Sequence, residues 1–347
     1  MDATPDNPAR NTLNAGVTEV ALLDAIAKSG YPLQTRVAEN LSAHFHVQEE
    51  WSYRDRDSNA LRTLDMLASK PLFDMRESHP RVRPQLNILI ECKQSDLPFV
   101  FFDTRHRPRL SNFPVLAGLK SNTIELVTDD DLSTWTLPIL NALGLDRHEF
   151  VADVPISSTF SKCARRSGGG VELSGEDSYN GVVLPLIKAT SHFENAESPR
   201  PTFAYFDAHL TIPVAVLNAP MVLVQTTNAQ PTARMTPWVR VARHEYDGDT
   251  EDWRKDRLWA IDVVHEDYLN IYIEQHVQPF AEEFARLALE HDAELAACQG
   301  FCSGLGKDSY RQIANRLSPR PLMHKPRRTA GIAWRIVTLP LWLWKSR

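Results

Sequence analysis

Apolar positions recur at helical spacing over Val17–Ser29, where Val20, Leu22, Leu23, Ile26 and Ala27 stand among polar neighbours. That spacing predicts an amphipathic helix with Gly30 as its stop. Tyr31-Pro32 restarts the chain into a second helix, because proline is tolerated in a helix's first turn. Its apolar residues Leu33, Val37, Ala38 and Leu41 cluster on one stripe at about 100° per residue. Gln34 falls within that stripe, whereas Glu39 falls on the opposite side. The period then shortens to two. Phe45–Tyr53 alternates Phe45, Val47, Trp51 and Tyr53 against polar residues, with Glu49 interrupting the apolar face. A polar turn, Arg54–Asn59, leads into a strand over Leu61–Ala68. A loop rich in Pro, Arg and His (Lys70–Gln85) separates it from a strand over Leu86–Lys93, and Pro98–Phe102 reads as another buried strand or its edge. Two helices followed by antiparallel-capable strands is the expected order.

The second half is less legible. Ser167-Gly168-Gly169-Gly170 marks a flexible loop. Gly175–His192 carries a helical pattern broken near Pro185. Strands are expected at Ile212–Leu217 and Met221–Gln225 around an Asn-Ala-Pro turn, and at Trp238–Arg243 and Leu258–Val264. Asp267–Ala296 is a long helical stretch that must bend around Pro279. No repeat of solenoid period is present. The pattern predicts an α/β (α+β) fold, a central mixed sheet flanked by helices over residues 17–300. It leaves residues 1–16 as a polar, proline-containing end expected to be disordered, and 310–347 as a basic, Trp-containing C-terminal tail.

Composition adds constraints on partners. The 347 residues are 43% hydrophobic and 24% charged, an ordinary balance for a globular chain. The four cysteines, Cys92, Cys163, Cys298 and Cys302, lack the paired spacing of a zinc site and fit a reducing, cytoplasmic setting. Met1–Asp6 has neither a basic stretch nor an apolar run, so it is expected not to be a signal peptide. Residues 310–347 hold nine Lys/Arg and no acid; since the whole chain carries −6, that +9 leaves −15 on the first 309 residues. An acidic body disfavours a broad nucleic-acid-gripping face but permits a narrow, metal-bridged site.

Such a site is suggested by Leu86-Asn87-Ile88-Leu89-Ile90-Glu91-Cys92-Lys93. In a strand, Glu91 and Lys93 share one face and Cys92 points away. Two charges at the end of a buried strand are costly unless paired or metal-bound. Leu64-Asp65-Met66-Leu67-Ala68 sets another carboxylate inside an apolar run; if the strands are neighbours, Asp65 approaches Glu91 and the two repel unless a cation lies between. Mg²⁺ or Mn²⁺ would suit those hard oxygens, with the Cys92 carbonyl as an extra ligand. The ion would polarise a phosphodiester and acidify water, and Lys93 would orient that water and face the developing charge. Gln34 needs a polar partner on its apolar stripe, and a carboxylate or a metal-bound water would serve. Gln94 and Ser95 extend the polar end of the strand.

Ser29-Gly30-Tyr31-Pro32-Leu33-Gln34, Leu64–Ala68, and Ile90-Glu91-Cys92-Lys93-Gln94-Ser95 followed by Pro98–Phe102 together resemble bacterial proteins of the PD-(D/E)XK, restriction-endonuclease-like nuclease superfamily. Their common core is a helix followed by mixed strands. The resemblance spans about residues 17–103 and is faint beyond, at Leu184–Ala189 and Ile261–Val264. It implies Asp65 and Glu91 as metal ligands, Lys93 as the catalytic lysine, and phosphodiester hydrolysis, of DNA above all, with Mg²⁺ or Mn²⁺. Two departures stand out. Gln34 occupies the place where many such families carry Glu, and Leu64 replaces the proline before Asp65.

Other expectations concern partners. Arg105, Arg107 and Arg109, just after the Phe-rich strand, and Arg165 and Arg166, beside the triple glycine, are candidates for phosphate contact or solvated loops. Ala330–Trp344 is apolar, has three tryptophans and basic flanks, and falls short of the ~20 residues that span a bilayer. Packing on the body or on a partner chain, nucleic-acid contact and membrane-surface contact are its alternatives. A homo-oligomer is compatible with the chain. The competing reading of the whole is a catalytically inactive nuclease-fold scaffold.

Overall fold

The structure, a computed structural model, describes residues 4–13, 16–74, 79–104, 106–110, 112–128, 134–200, 202–227, 230–246, 256–302 and 317–318. Helices α1 (Glu19–Lys28) and α2 (Tyr31–Ser42) precede strands β1 (His46–Arg54), β2 (Leu61–Pro71) and β3 (Val82–Gln94). Then come β4 (Phe99–Asp103), β5 (Val115–Ala117), β6 (Thr123–Thr128) and β7 (Thr134–Pro138), with short helices α3 (Ile139–Ala142) and α4 (Glu149–Ala152). Strands β8 (Ile156–Arg165) and β9 (Val171–Ser174) lead to α5 (Gly175–Ser178) and, through a π-helical turn, α6 (Leu184–Ala196). Strands β10 (Phe206–Asn218), β11 (Met221–Thr227), β12 (Gln230–Met235), β13 (Trp238–Tyr246) and β14 (Asp256–His265) follow. The chain continues through α7 (Leu269–Tyr272), α8 (Gln278–Glu290), α9 (Asp292–Ala297) and β15 (Gln299–Cys302).

The expected mixed sheet is present. Twelve strands of the described residues form it, along the path β1-β2-β3-β10-β14-β13-β8-β4-β11-β12, with β5 beside β10 and β9 beside β8. The first three strands are antiparallel; β10 then runs parallel to both β3 and β14. Helix α6 lies between β3 and β10 in the chain, as a crossover between parallel strands requires. One face is covered by α2 and α8, through Leu33, Val37, Leu41, Phe280 and Phe284. The other packs against α6, through Leu186, Ile187 and Phe193. β3 and β10 are apolar along most of their length because both faces are buried.

Several expectations need correction. The Lys70–Gln85 stretch is not all loop: the β2–β3 ladder reaches Pro71↔Gln85, and Arg83 within it is matched by Asp207 on β10. β10 and β11 flank the Asn-Ala-Pro turn but are not partners, since they stand five places apart in the strand order. Five places in a flat sheet would be roughly 24 Å, whereas the step from Asn218 to Met221 spans at most about 11 Å. The sheet must therefore curl, and β4 beside β11 continues the parallel pairing of β3 with β10. Ser167–Gly170 is the turn of the β8–β9 hairpin. The 267–296 helical stretch is broken by a π-helical turn at Ile273–Val277, next to Pro279. None of the apolar residues of α1 is buried; Val20 and Leu23 are exposed. The C-terminal tail beyond Ser318 lies outside the described residues. Among the described residues no helix is long and apolar enough to cross a membrane.

Candidate metal centre

The site is built on a fault in the β1–β2 hairpin. Glu49 pairs with Met66 and Trp51 with Leu64, so Glu50 stands opposite Asp65 without a change of register. Glu50 has φ 50°, the left-handed region that β-strand residues avoid. On either side of this rung the strands change faces. Phe45, Val47, Met66 and Ala68 pack toward α2, whereas Trp51, Tyr53 and Leu64 pack toward α6. The single apolar face expected for Phe45, Val47, Trp51 and Tyr53 is thus two half-faces, because one left-handed residue reverses the alternation.

Asp65 and Glu91 are brought together as the sequence suggests. The β2–β3 ladder ends at Met66↔Ile90, so the next rung sets Asp65 opposite Glu91. Beyond the ladder, side chains replace backbone partners. Asp65 Oδ2 accepts the Cys92 amide at 2.6 Å, and the Glu91 carboxylate is hydrogen-bonded by the Asp65 amide. The N–H and C=O of one residue in a strand point to the same side, so the Cys92 carbonyl also faces this gap. Its thiol is buried in the α2-side layer, as expected, and burial pushes its pKa up. Lys93 shares the Glu91 face and its Nζ lies 2.6 Å from Glu91 Oε1. Glu91 is buried while the Lys93 side chain is 36% exposed, so the lysine head reaches solvent from an enclosed carboxylate.

Burial raises both acids. The Glu91 pKa is pushed up to about 7, chiefly by desolvation, with Lys93 opposing and Asp65 adding repulsion. Desolvation also raises Asp65, against the Cys92 amide and Lys93, and Glu50 adds repulsion. Two desolvated carboxylates facing each other form a hard-oxygen donor set, the kind Mg²⁺ uses with one or two carboxylates and several waters. The residues present therefore fit such an ion. Among the described residues no three His, Cys, Asp or Glu side chains are placed to share one ion.

Gln34 finds the carboxylate partner its position demanded, though it is one the sequence pattern did not single out. Its Nε2 donates to Glu50 Oε1 at 2.9 Å and to the Asp65 carbonyl at 3.2 Å. Glu50 is the residue missed; the only trace of it was the break in alternation at Glu49. Gln94 and Ser95 do not point at the carboxylates. Gln94 Nε2 donates to the Ala27 carbonyl at the end of α1, and Ser95 Oγ accepts the Leu97 amide in the turn that follows β3. The expected arginines are dispersed. Arg107 donates to the Ala152 carbonyl, Arg109 is exposed, Arg166 pairs with Glu172, and Arg165 lines a cleft beside the end of β3. Arg105 lies outside the described residues.

The raised Glu91 pKa predicts a pH dependence in the metal-free protein. A carboxyl whose folded pKa exceeds its unfolded value stabilises the fold fully below about 4.5 and loses that contribution as pH rises through about 7. Roughly 3 kcal/mol is at stake. Urea denaturation in EDTA is expected to show stability falling between pH 5 and 7.5 in the parent, with a flatter profile in Glu91→Gln. Parallel profiles would remove Glu91 as the cause.

No protein-family model matches the chain, and no curated protein or solved structure matches it.

Proposed function

We propose that the protein is a metal-dependent nuclease hydrolysing phosphodiester bonds of DNA, on a restriction-endonuclease-like core. The observation that carries the reading is the Asp65–Glu91 rung, with Lys93 on the face of Glu91. A helix, three antiparallel strands, a second helix and a parallel strand support it as a helix-then-mixed-strand core. Asp65, Glu91 and the Cys92 carbonyl would hold Mg²⁺ or Mn²⁺. When bound, such an ion polarises a phosphoryl oxygen and lowers the pKa of water.

The protein's own residues do the rest. Glu91 gives up its proton near neutral pH, and the Cys92 amide fixes one oxygen of Asp65. Gln34 ties the Asp65 backbone to α2, so the carboxylate is held from two elements. The Lys93 ammonium positions a nucleophilic water by hydrogen bonding and offsets negative charge building on the phosphate. Cleavage of DNA in Mg²⁺ or Mn²⁺, absent in EDTA, is the expected result; it should disappear in Asp65→Ala and fall by about 10²–10³ in Lys93→Ala. If both variants cut as fast as the parent, the assignment is wrong.

A second reading, a catalytically inactive binding or scaffold protein of the same fold, is favoured by one observation. The amide group of Gln34 stands where many such nucleases carry Glu, and it donates to Glu50 instead of offering a ligand. Melting with Mg²⁺ or Mn²⁺ separates the readings: a working carboxylate pair gains stability from the ion by mass action, and a vestigial one does not.

A further inference from the structure

The chain beyond Lys93 opens onto a cleft. Gln94 and Ser95 line it on one side, and Lys162 and Arg165 on strand β8 line it on another. Phe99 pairs with Lys162 across β4 and β8, and the Cys163 amide donates to the Pro98 carbonyl, so β8 is fixed beside the start of β4, which follows β3 after a short turn. Ser95 is two residues past Lys93, roughly 7 Å along an extended chain. The cleft volume is about 650 Å³. That is the size of a small-ligand pocket, with room for a nucleotide or two and none for a double helix.

Its charges are unevenly matched. Asp96 lies near Lys28, which is bound to Asp24, and Asp177 accepts the Ser174 hydroxyl. Lys162 and Arg165 have no ion pair among the described residues. The Lys162 head instead lies 5.9 Å from the Phe99 ring centroid, which holds it at the cleft wall. Two cations without carboxylate partners among the described residues line, with Gln94 and Ser95, a pocket too small for a duplex to enter, on the chain that follows Glu91 and Lys93, and this suits a narrow polyanion. We propose that this cleft binds the sugar-phosphate backbone of a single nucleic-acid strand, with Lys162 and Arg165 each facing a phosphate. The nuclease reading supplies only the identity of the polyanion. The prediction is that substrate enters as a single strand or a frayed end.

Binding is measured with the full chain in EDTA, by fluorescence anisotropy on labelled single-stranded DNA, single-stranded RNA and blunt duplex DNA across a salt series. The double variant Lys162→Ala/Arg165→Ala is expected to bind a single strand about tenfold more weakly at low salt. The slope of log K against log salt should flatten by about 1.4, from ~0.7 for each single-strand phosphate contact. Duplex affinity should be unchanged, because a double helix does not enter the cleft and any contact made elsewhere on the chain is common to parent and variant. Loss on the DNA strand, the RNA strand or both supports the cleft and distinguishes its source. An equal loss on duplex, or no loss on either single strand, overturns it. The reversed-charge pair Lys162→Glu/Arg165→Glu, which has to deepen a specific loss, guards against a folding artefact, and matching melting temperatures confirm the fold. The measurement is made in EDTA and reads binding without cleavage, so a failed nuclease reading would leave it standing.

Discussion

Removing the Lys93 ammonium is expected to slow DNA cleavage by about 10²–10³, the range for losing one group that faces charge in the transition state. The same variant should gain more thermal stability from Mn²⁺ than the parent does. The two effects have one origin. Nζ lies 2.6 Å from Glu91 Oε1, so in the metal-free protein it neutralises an oxygen that an incoming cation would use. Lys93 also lowers the Glu91 pKa, and its removal moves that carboxyl above about 7. The comparison therefore belongs near pH 8.5, where Glu91 is ionised more fully. Cleavage rates and melting shifts with and without Mn²⁺ give the answer. Loss of both would mean that Lys93 builds the site; loss of cleavage alone means it acts in the chemistry.

The largest effect on stability is expected at Asp262. Its carboxylate accepts Arg240 Nε at 2.7 Å and Nη2 at 2.9 Å, and the Tyr272 hydroxyl at 2.7 Å. Arg240 also donates to the Phe150 carbonyl, and its guanidinium lies 3.9 Å from the Phe113 ring centroid. Both charged residues are fully buried. Asp262→Ala would leave an enclosed guanidinium without its counter-charge, at a cost of about 3–5 kcal/mol. Replacing both, as Arg240→Met/Asp262→Leu, should recover most of that loss, since an apolar pair needs no desolvation of charge. Urea denaturation of the three proteins measures it. A single variant within 1 kcal/mol of the parent would show that water or a rearranged partner satisfies Arg240.

Local periodicity made the first hundred residues readable. The α2 stripe, with Gln34 inside it, and the Asp65 and Glu91 strands rest on residues within one or two turns or rungs. The central mixed sheet could be anticipated, but its order could not. β10 enters between β3 and β14 more than a hundred residues after β3, and nothing local in either strand names its neighbour. Strands β5 to β9 are short or amphipathic in ways that a loop also is. Glu50 was hidden for a different reason. A glutamate in the left-handed region runs against residue preference, and only the tertiary grip of Gln34 and the two packing layers holds it there. The pairing of Glu91 with Lys93 was legible because a buried charge on an apolar strand needs a partner wherever the strand sits.

The exchange of faces at Glu50 and Asp65 divides the β1–β2 hairpin between two layers. In its tip Trp51, Tyr53 and Leu64 pack into the α6 layer, and in its base Phe45, Val47, Met66 and Ala68 pack into the α2 layer. The proposed centre lies on the seam between these halves. Amide exchange at Cys92, whose proton is held by a side chain instead of a ladder carbonyl, therefore reports the less stable of the two layers. A mutation that loosens either layer, however far from the carboxylates, will be felt there first.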